Sequence, residues 1–111
     1  MTKPIKYSTT GVNKIQTYLD LAGIAYVKEF LPIKGRKFRA DFYLPAYNCV
    51  IEYEGINSKK SGHLTFDGYT KNCEKYNLLS LNGYKLLRYT MKNLHQLIDN
   101  LNELKNGKFN I

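Results

Sequence analysis

The sequence predicts an α/β domain in which a mixed four-stranded sheet is flanked by helices, in the order α-β-β-β-α-β-α. Two observations lead to this class. Apolar residues recur at helical spacing in three segments, and short runs rich in β-branched and aromatic residues lie between them. Three consecutive strands form an antiparallel meander, and a helix then crosses over to the fourth strand. The last strand therefore pairs in parallel, which makes the sheet mixed.

The first helix is predicted between a capping threonine, Thr9 or Thr10, and Ala22. Its apolar stripe consists of Val12, Ile15, Tyr18 and Leu19. Residues 24–31 follow as the first strand. Glu29 shares the parity of two apolar residues on that strand, so we expect it to be half-buried or near the site.

Residues 39–55 contain two apolar runs around a Pro-Ala-Tyr-Asn break, which predicts a strand–turn–strand hairpin. Side chains alternate between the faces of a strand, so Glu52 and Glu54 share one face of the second strand, while Asp41 lies on the first. Three carboxylates in strands this apolar are costly to desolvate, and close together they raise one another's pKa. A divalent metal would remove both penalties. The alternative is a solvated face on which lysines pair with the acids.

A polar, glycine-containing loop is predicted over residues 56–68, and its length is typical of functional loops. A helix is predicted over residues 69–81, with its stripe formed by Tyr69, Cys73, Tyr76 and either Leu79 or Ser80. Residues 84–89 are predicted as an internal strand. The last helix has the clearest periodicity, carried by Met91, Leu94, Leu97, Ile98, Leu101 and Leu104.

Length and composition predict one domain over residues 1–111, with a core at about 9–105, in a chain of 43% hydrophobic residues. No apolar run approaches the ~20 residues of a membrane span, and the first residues contain no apolar signal core. Cys49 and Cys73 show neither metal-ligand spacing nor a disulfide framework, and both fit an apolar face of a cytosolic protein. We therefore expect a cytoplasmic protein without membrane association.

The net charge of +8, from 17 Lys and Arg against nine acids, is typical of a protein that binds polyanions. Basic residues cluster just ahead of the hairpin and recur after it. The candidate DNA contacts are Lys34, Arg36, Lys37, Arg39, Lys59, Lys60 and Lys71. Acids concentrated at one place with bases spread around them is the arrangement that a metal-dependent nuclease needs.

Several stretches resemble the PD-(D/E)XK nuclease superfamily, in particular its small very-short-patch-repair-like branch, which includes phage Holliday-junction-resolvase-like endonucleases. The resemblance lies in residues 38–45 (FRADFYLP), 50–55 (VIEYEG), 62–63 (GH), 73–77 (CEKYN) and 83–90 (GYKLLRYT). Together they cover roughly residues 12–100. The resemblance implies a restriction-endonuclease-like core.

Three positions depart from the family pattern. Glu54 stands where the family's acidic-x-lysine signature has its lysine. Many relatives have a glutamate on the first helix, where this chain offers Asn13 and Gln16. Gly55 is single where relatives often have two glycines.

Asp41 and Glu52 are the expected ligands of Mg²⁺, for which Mn²⁺ can substitute, because Mg²⁺ needs only one or two carboxylates besides water and phosphate. The bound metal would polarise the scissile phosphate and lower the pKa of a water molecule. Glu54 is expected to bind a second metal or to orient the attacking water. Alternatively, it only positions Lys59 or Lys60.

His63 is the candidate general base or leaving-group acid, because its unperturbed pKa near ~6.5 suits proton transfer at neutral pH. The alternative is a loop residue with a structural hydrogen bond. A cation for the transition state would come from Lys75 or Lys71 on the second helix, unless both are solvated surface lysines. His95 is expected at the surface.

The predicted function is a Mg²⁺-dependent DNA endonuclease that hydrolyses phosphodiester bonds in branched or structured DNA, of the junction-resolvase or repair type, in a bacterial or phage-infected cell. Two alternatives stay open. One is a catalytically inactive nucleic-acid-binding module that retains the nuclease fold, and the other is a basic protein-interaction domain such as a ribosome-associated factor. Symmetric cleavage of a two-fold junction would favour a homodimer.

Overall fold

The computed structural model describes residues 10–55 and 65–107. Its elements are α1 (Thr10–Ala22), β1 (Val27–Phe30), β2 (Ala40–Leu44), a 3-10 turn (Pro45–Tyr47), β3 (Cys49–Tyr53), α2 (Phe66–Leu81), β4 (Lys85–Tyr89), a second 3-10 turn (Leu94–Gln96) and α3 (Leu97–Lys105). The four strands form one mixed sheet flanked by three helices. This is the predicted order of helices and strands, and the predicted fold class is confirmed.

The sheet has the strand order β1-β2-β3-β4, with antiparallel pairs at β1–β2 and β2–β3 and a parallel pair at β3–β4. In the hairpin, Phe42 lies opposite Ile51. One step further along this register, Asp41 lies opposite Glu52. On the other side of β3, Arg88 pairs with Glu52. Because directly paired residues share a face of the sheet, three charged residues form a row across β2, β3 and β4.

The two faces of the sheet pack differently. One face buries a large apolar cluster with α1 and α3, formed by Ile15, Leu19, Ile24, Phe42, Leu44, Cys49, Ile51, Tyr89, Leu94, Leu97, Leu101 and Leu104. The other face contacts α2 through a smaller buried cluster of Ala40, Val50 and Leu79. Val50 has the parity of Glu52, so the row of charged residues lies on the α2 face.

The first strand is shorter and more exposed than the sequence predicts, because β1 is an edge strand of four residues. Glu29 has a φ of 52°, a left-handed conformation that interrupts the alternation of side chains along the strand. Its side chain is 68% exposed and pairs with the Arg39 guanidinium at 3.1 Å. The prediction is that Glu29 is half-buried or near the site. It is not half-buried, because the prediction assumed regular alternation, but it lies near enough to Asp41 for its charge to raise the pKa of that carboxyl.

Helix α2 begins at Phe66, three residues before the predicted start at Tyr69. Thr65 caps this earlier start, since its side-chain oxygen accepts a hydrogen bond of 2.9 Å from the Gly68 N–H. The predicted connection before the helix is correspondingly shorter. Residues 56–64 lie outside the described part of the chain.

The face of α2 that lies on the sheet is also different from the predicted one. Tyr69 and Cys73, both assigned to the apolar stripe, are exposed, whereas Lys75 is half-buried and Leu79 is fully buried. The predicted stripe is right for Tyr76 and Leu79, which pack against the sheet, and wrong for Tyr69 and Cys73. A polar residue, Lys75, occupies the inner face instead, where a search for apolar periodicity does not place it. The expectation that Cys73 lies on an apolar face is wrong for the same reason.

Two further differences concern the end of the chain. Strand β4 is an edge of the sheet rather than internal, and its leucines are only half-buried. Helix α3 begins at Leu97, and Met91 and Ile98 are exposed, while the four predicted leucines are buried. In the described part of the chain, no helix is long and apolar enough to cross a membrane.

Gly11, in the first turn of α1, is buried against the ring of Tyr53, and a Cβ at this position would overlap the ring atoms. We expect Gly11→Ala to lower the free energy of unfolding by about 1–3 kcal/mol, the usual cost of overpacking, although alanine favours helix more than glycine does. Denaturant titration of Gly11→Ala measures this cost. In a Tyr53→Ala background the cost should disappear. Equal stability of Gly11→Ala and wild type would contradict the close contact.

Candidate active site

The acidic row begins with Asp41 and Glu52, which lie on adjacent strands beneath α2. The backbone N–H of Tyr53 donates a 2.7 Å hydrogen bond to Asp41 Oδ2, so the β3 backbone fixes the orientation of the Asp41 carboxylate. Asp41 is half-buried and Glu52 is buried. The hairpin thus holds two carboxylates side by side and largely out of water.

Lys75 reaches this pair from α2. Its Nζ lies 2.5 Å from Glu52 Oε2 and donates a 2.7 Å hydrogen bond to the Arg39 carbonyl oxygen. The same nitrogen lies 5.7 Å from the centre of the Phe38 ring, within the range of a cation–π contact. The Lys75 side chain is only 12% exposed. Strand β3 has no lysine beside its acids, but the helix places an ammonium group at this acidic strand.

The Glu52 carboxyl has an unusual environment. Oε2 is buried and faces the Lys75 ammonium in a short ion pair, and no further donor reaches this oxygen within the described residues. Burial raises the pKa of Glu52 to about 7, against the opposing effect of Lys75 and with a further contribution from Asp41. Burial also raises the pKa of Asp41, and the Tyr53 N–H partly offsets it.

Glu54 lies near enough to the pair for its charge to raise the pKa of Asp41 and of Glu52, but it has different partners. Its N–H donates a 2.7 Å hydrogen bond to the Tyr89 carbonyl oxygen. Its Oε2 accepts hydrogen bonds from the Tyr76 hydroxyl, at 2.5 Å, and from Arg88 Nε, at 3.2 Å. The Arg88 guanidinium carbon lies 3.9 Å from the centre of the Tyr76 ring. Burial first, and then the Glu54 carboxylate, raise the pKa of Tyr76, which keeps its hydroxyl protonated as a donor.

The remaining predicted residues are placed as follows. Four basic residues in the β1–β2 connection are exposed: Lys34, Arg36, Lys37 and Arg39. The Arg36 guanidinium lies 5.4 Å from the centre of the Phe38 ring, which also faces Lys75, so this basic segment reaches the edge of the acidic row. Lys71 is exposed on α2, and His95 is exposed as expected. Lys59, Lys60 and His63 lie outside the described residues.

The three predicted metal ligands are not assembled as one group. Over residues 10–55 and 65–107, no set of three or more His, Cys, Asp or Glu residues is placed to hold a metal ion. Asp41 and Glu52 form a pair, whereas Glu54 Oε2 receives Tyr76 and Arg88. The assignment of these acids to a metal stays a prediction, and the pair is the part of it that the geometry favours.

Sequence reasoning missed Tyr76 and Arg88 as partners of Glu54. Strand parity offered one signal, because Arg88 alternates with Leu87 and Tyr89 and so falls on the side of Leu86. The parallel register that sets Arg88 beside Glu52 has no local signal, since it depends on how α2 crosses the sheet.

Comparisons with known proteins support the fold. No protein-family model matches this chain, and no curated protein matches it. A solved structure, the catalytic domain of the homing endonuclease I-Bth0305I, superposes with a TM-score of 0.66 at 20% sequence identity, over 86% of this chain and 93% of that chain. At this identity the similarity concerns the fold alone: the sheet and its helices have a nuclease-like fold.

The raised pKa of Glu52 predicts how stability depends on pH in the absence of metal. The pKa of the Glu52 carboxyl is near 4.5 in the unfolded chain and about 7 in the folded chain, so folding favours its protonated form. The stabilisation is complete below about pH 4.5 and is lost as the pH rises through about 7. We expect the Tm in chelator to fall across this window.

Thermal unfolding of wild type and Glu52→Gln, measured in EDTA from pH 4.5 to 8, tests this dependence. The fall in Tm should be smaller in Glu52→Gln than in wild type. Glu74→Gln, which changes an exposed acid on the same helix, should keep the wild-type profile. Parallel profiles for wild type and Glu52→Gln would contradict the prediction.

Proposed function

We propose that this chain is a metal-dependent DNA endonuclease that hydrolyses phosphodiester bonds. One observation carries the proposal: two adjacent carboxylates, the half-buried Asp41 and the buried Glu52, lie beside the ammonium of Lys75 beneath α2. The nuclease-like fold and the net charge of +8 support it.

Asp41 and Glu52 would hold Mg²⁺, or Mn²⁺ in its place. Their donor set fits a hard cation, because both are carboxylates and burial makes their ionised forms costly without added positive charge. When bound, the metal supplies Lewis-acid activation of a phosphate and of a water molecule. Glu54 is the weaker candidate ligand, since its Oε2 already accepts two hydrogen bonds.

Lys75 is the residue of this chain that we assign to the reacting phosphate. Its ammonium has three N–H groups, and contacts with Glu52 and the Arg39 carbonyl hold it in place. We assign the third N–H to a phosphoryl oxygen, where a fixed positive charge would stabilise the charge that develops during hydrolysis. His63 remains the proposed base or leaving-group acid on the strength of the sequence.

The proposed substrate is branched or structured DNA, as in junction resolution or repair. The family resemblance supports this choice. So do the exposed basic residues of the β1–β2 connection, of which Arg36 contacts the same Phe38 ring as Lys75 does. Lys59, Lys60 and Lys71 would extend the phosphate contacts. A two-fold junction cleaved symmetrically would require a homodimer, and the proposed setting is the cytoplasm of a bacterial or phage-infected cell.

The second candidate is a nucleic-acid-binding module that retains the fold without catalysis. The observation in its favour is that the described residues contain no group of three acids placed to hold a metal. Metal-dependent cleavage separates the two candidates, because a binding module would bind the same DNA without cutting it.

Replacing either member of the pair should abolish cleavage. We expect Asp41→Asn and Glu52→Gln each to lower the Mg²⁺-dependent rate by more than about 100-fold, because the loss of a metal ligand removes several kcal/mol of transition-state stabilisation. The assay incubates a four-way junction and a linear duplex with Mg²⁺ or Mn²⁺. Glu74→Gln is the matched control and should keep the wild-type rate. Unchanged rates in either ligand variant would refute the assignment.

Removing the basic residues of the β1–β2 connection should make DNA binding less sensitive to salt. Each phosphate contact contributes about 0.9 to the slope of log affinity against log salt. We expect Arg36→Gln, Lys37→Gln and Arg39→Gln together to reduce the slope by up to about 3, as measured by fluorescence anisotropy. The control is the double variant Lys14→Gln and Lys105→Gln, whose changes lie on the helices of the opposite face. It should have nearly the wild-type salt slope. An unaltered slope in the triple variant would place the DNA surface elsewhere.

A further inference from the structure

We propose that Arg88 binds a phosphate group of the DNA and that Glu54 is a positioning residue, which holds the Arg88 guanidinium by one edge. The proposal rests on the proposed function in one respect, that the ligand is DNA. It gives Arg88 a role that the sequence does not predict. It also gives Glu54 a role that competes with metal binding.

Arg88 lies directly beside the carboxylate pair. It pairs with Glu52 in the parallel register of β3 and β4, so both side chains leave the same face of the sheet, from strands about 4.8 Å apart. Asp41, Glu52 and Arg88 thus form one row under α2. A phosphate that approaches Asp41 and Glu52 comes within reach of a guanidinium at the edge strand.

The guanidinium is held in two ways. The hydrogen bond from Nε to Glu54 Oε2, at 3.2 Å, fixes one edge of the group, and the guanidinium carbon lies over the Tyr76 ring at 3.9 Å from its centre in a cation–π contact. Tyr76 also donates its hydroxyl to the same Glu54 oxygen, at 2.5 Å. Arg88, Glu54 and Tyr76 therefore contact one another, and these contacts limit the rotation of the guanidinium.

This arrangement directs the other edge of the guanidinium to a ligand. Arginine has five N–H donors in a planar fork, and only the Nε–H contacts Glu54. The Arg88 side chain is 46% exposed, which leaves part of it open to a ligand. Two parallel N–H groups match the oxygens of a phosphate, which is the bidentate geometry that arginine provides and lysine does not.

Neutralising the buried Glu54 carboxylate does not by itself explain these contacts. A lysine at position 88 would neutralise the same charge without the stack on Tyr76 or the fork. Metal binding by Glu54 Oε2 would also compete with the Arg88 hydrogen bond, because both require the same oxygen. The two roles for Glu54 predict opposite effects of removing its charge on DNA binding without metal.

The test measures DNA binding in EDTA, by anisotropy of a labelled four-way junction and a labelled 30-base-pair duplex at 50–300 mM KCl. Arg88→Gln should bind about tenfold more weakly, the usual loss for a charged hydrogen bond, and its salt slope should fall by about 0.9. Arg88→Lys keeps the charge and the ion pair, so it should keep the slope and still lose affinity. Lys105→Gln, on the opposite face, is the control for one lost charge.

Glu54→Gln separates positioning from the alternatives. Removal of a negative charge near DNA should tighten binding if Glu54 is only a metal ligand or a structural acid. If Glu54 positions Arg88, Glu54→Gln should weaken binding with an unchanged slope, because a neutral amide oxygen holds the guanidinium by a weaker hydrogen bond than the carboxylate does. Tighter binding by Glu54→Gln would overturn the positioning role.

An unchanged slope in folded Arg88→Gln, or no DNA binding by wild type, would overturn the phosphate role. If Arg88→Gln does not fold, Arg88→Lys decides, and wild-type affinity in that variant would also overturn it. If wild type binds DNA but does not cleave it with Mg²⁺ or Mn²⁺, the proposed endonuclease activity is refuted. The salt slopes would then still test whether Arg88 binds a phosphate.

Discussion

The contact between Lys75 and Glu52 is the interaction on which the arrangement of this face depends. Helix α2 buries only one residue completely, Leu79, so apolar packing alone holds it weakly. Its other anchors are polar: Lys75 binds Glu52 and a backbone carbonyl, and Tyr76 binds Glu54. Removing one partner of a buried ion pair leaves an uncompensated charge, which is among the costliest single changes to a folded chain. The helix position and the acidic row therefore stabilise each other.

The two faces of the sheet differ in composition: one is apolar, and the other contains buried charged residues. Helices α1 and α3 bury leucine and isoleucine on the first face, and that cluster contains no charged residue. The second face combines buried carboxylates, an ammonium and a guanidinium under one helix. Charge placed there is costly, and the Lys75 contact offsets the cost for Glu52 only in part, as the raised pKa of Glu52 indicates.

The sequence predicted those parts of the fold that depend on local alternation. The hairpin, its acids and the stripes of α1 and α3 follow from periodicity, because apolar residues occupy their buried positions. Prediction failed where polar residues take buried positions or where the backbone is irregular. Lys75 lies on the inner face of α2 because it pairs with Glu52, which is far from it in the sequence. The positive φ of Glu29 interrupts the alternation of side chains along β1. The neighbourhood of Arg88 depends on a parallel register that no short stretch encodes.

The contact between Gly11 and Tyr53 connects the two faces. The Tyr53 ring packs on α1 on the apolar side, while the N–H of the same residue orients the Asp41 carboxylate on the acidic side. A side chain at position 11 would push on the ring and, through one residue of backbone, on the carboxylate. A substitution on the apolar face of the sheet can therefore change the geometry of the acidic face. Variants that disturb the acidic row are therefore not confined to residues that a substrate would touch.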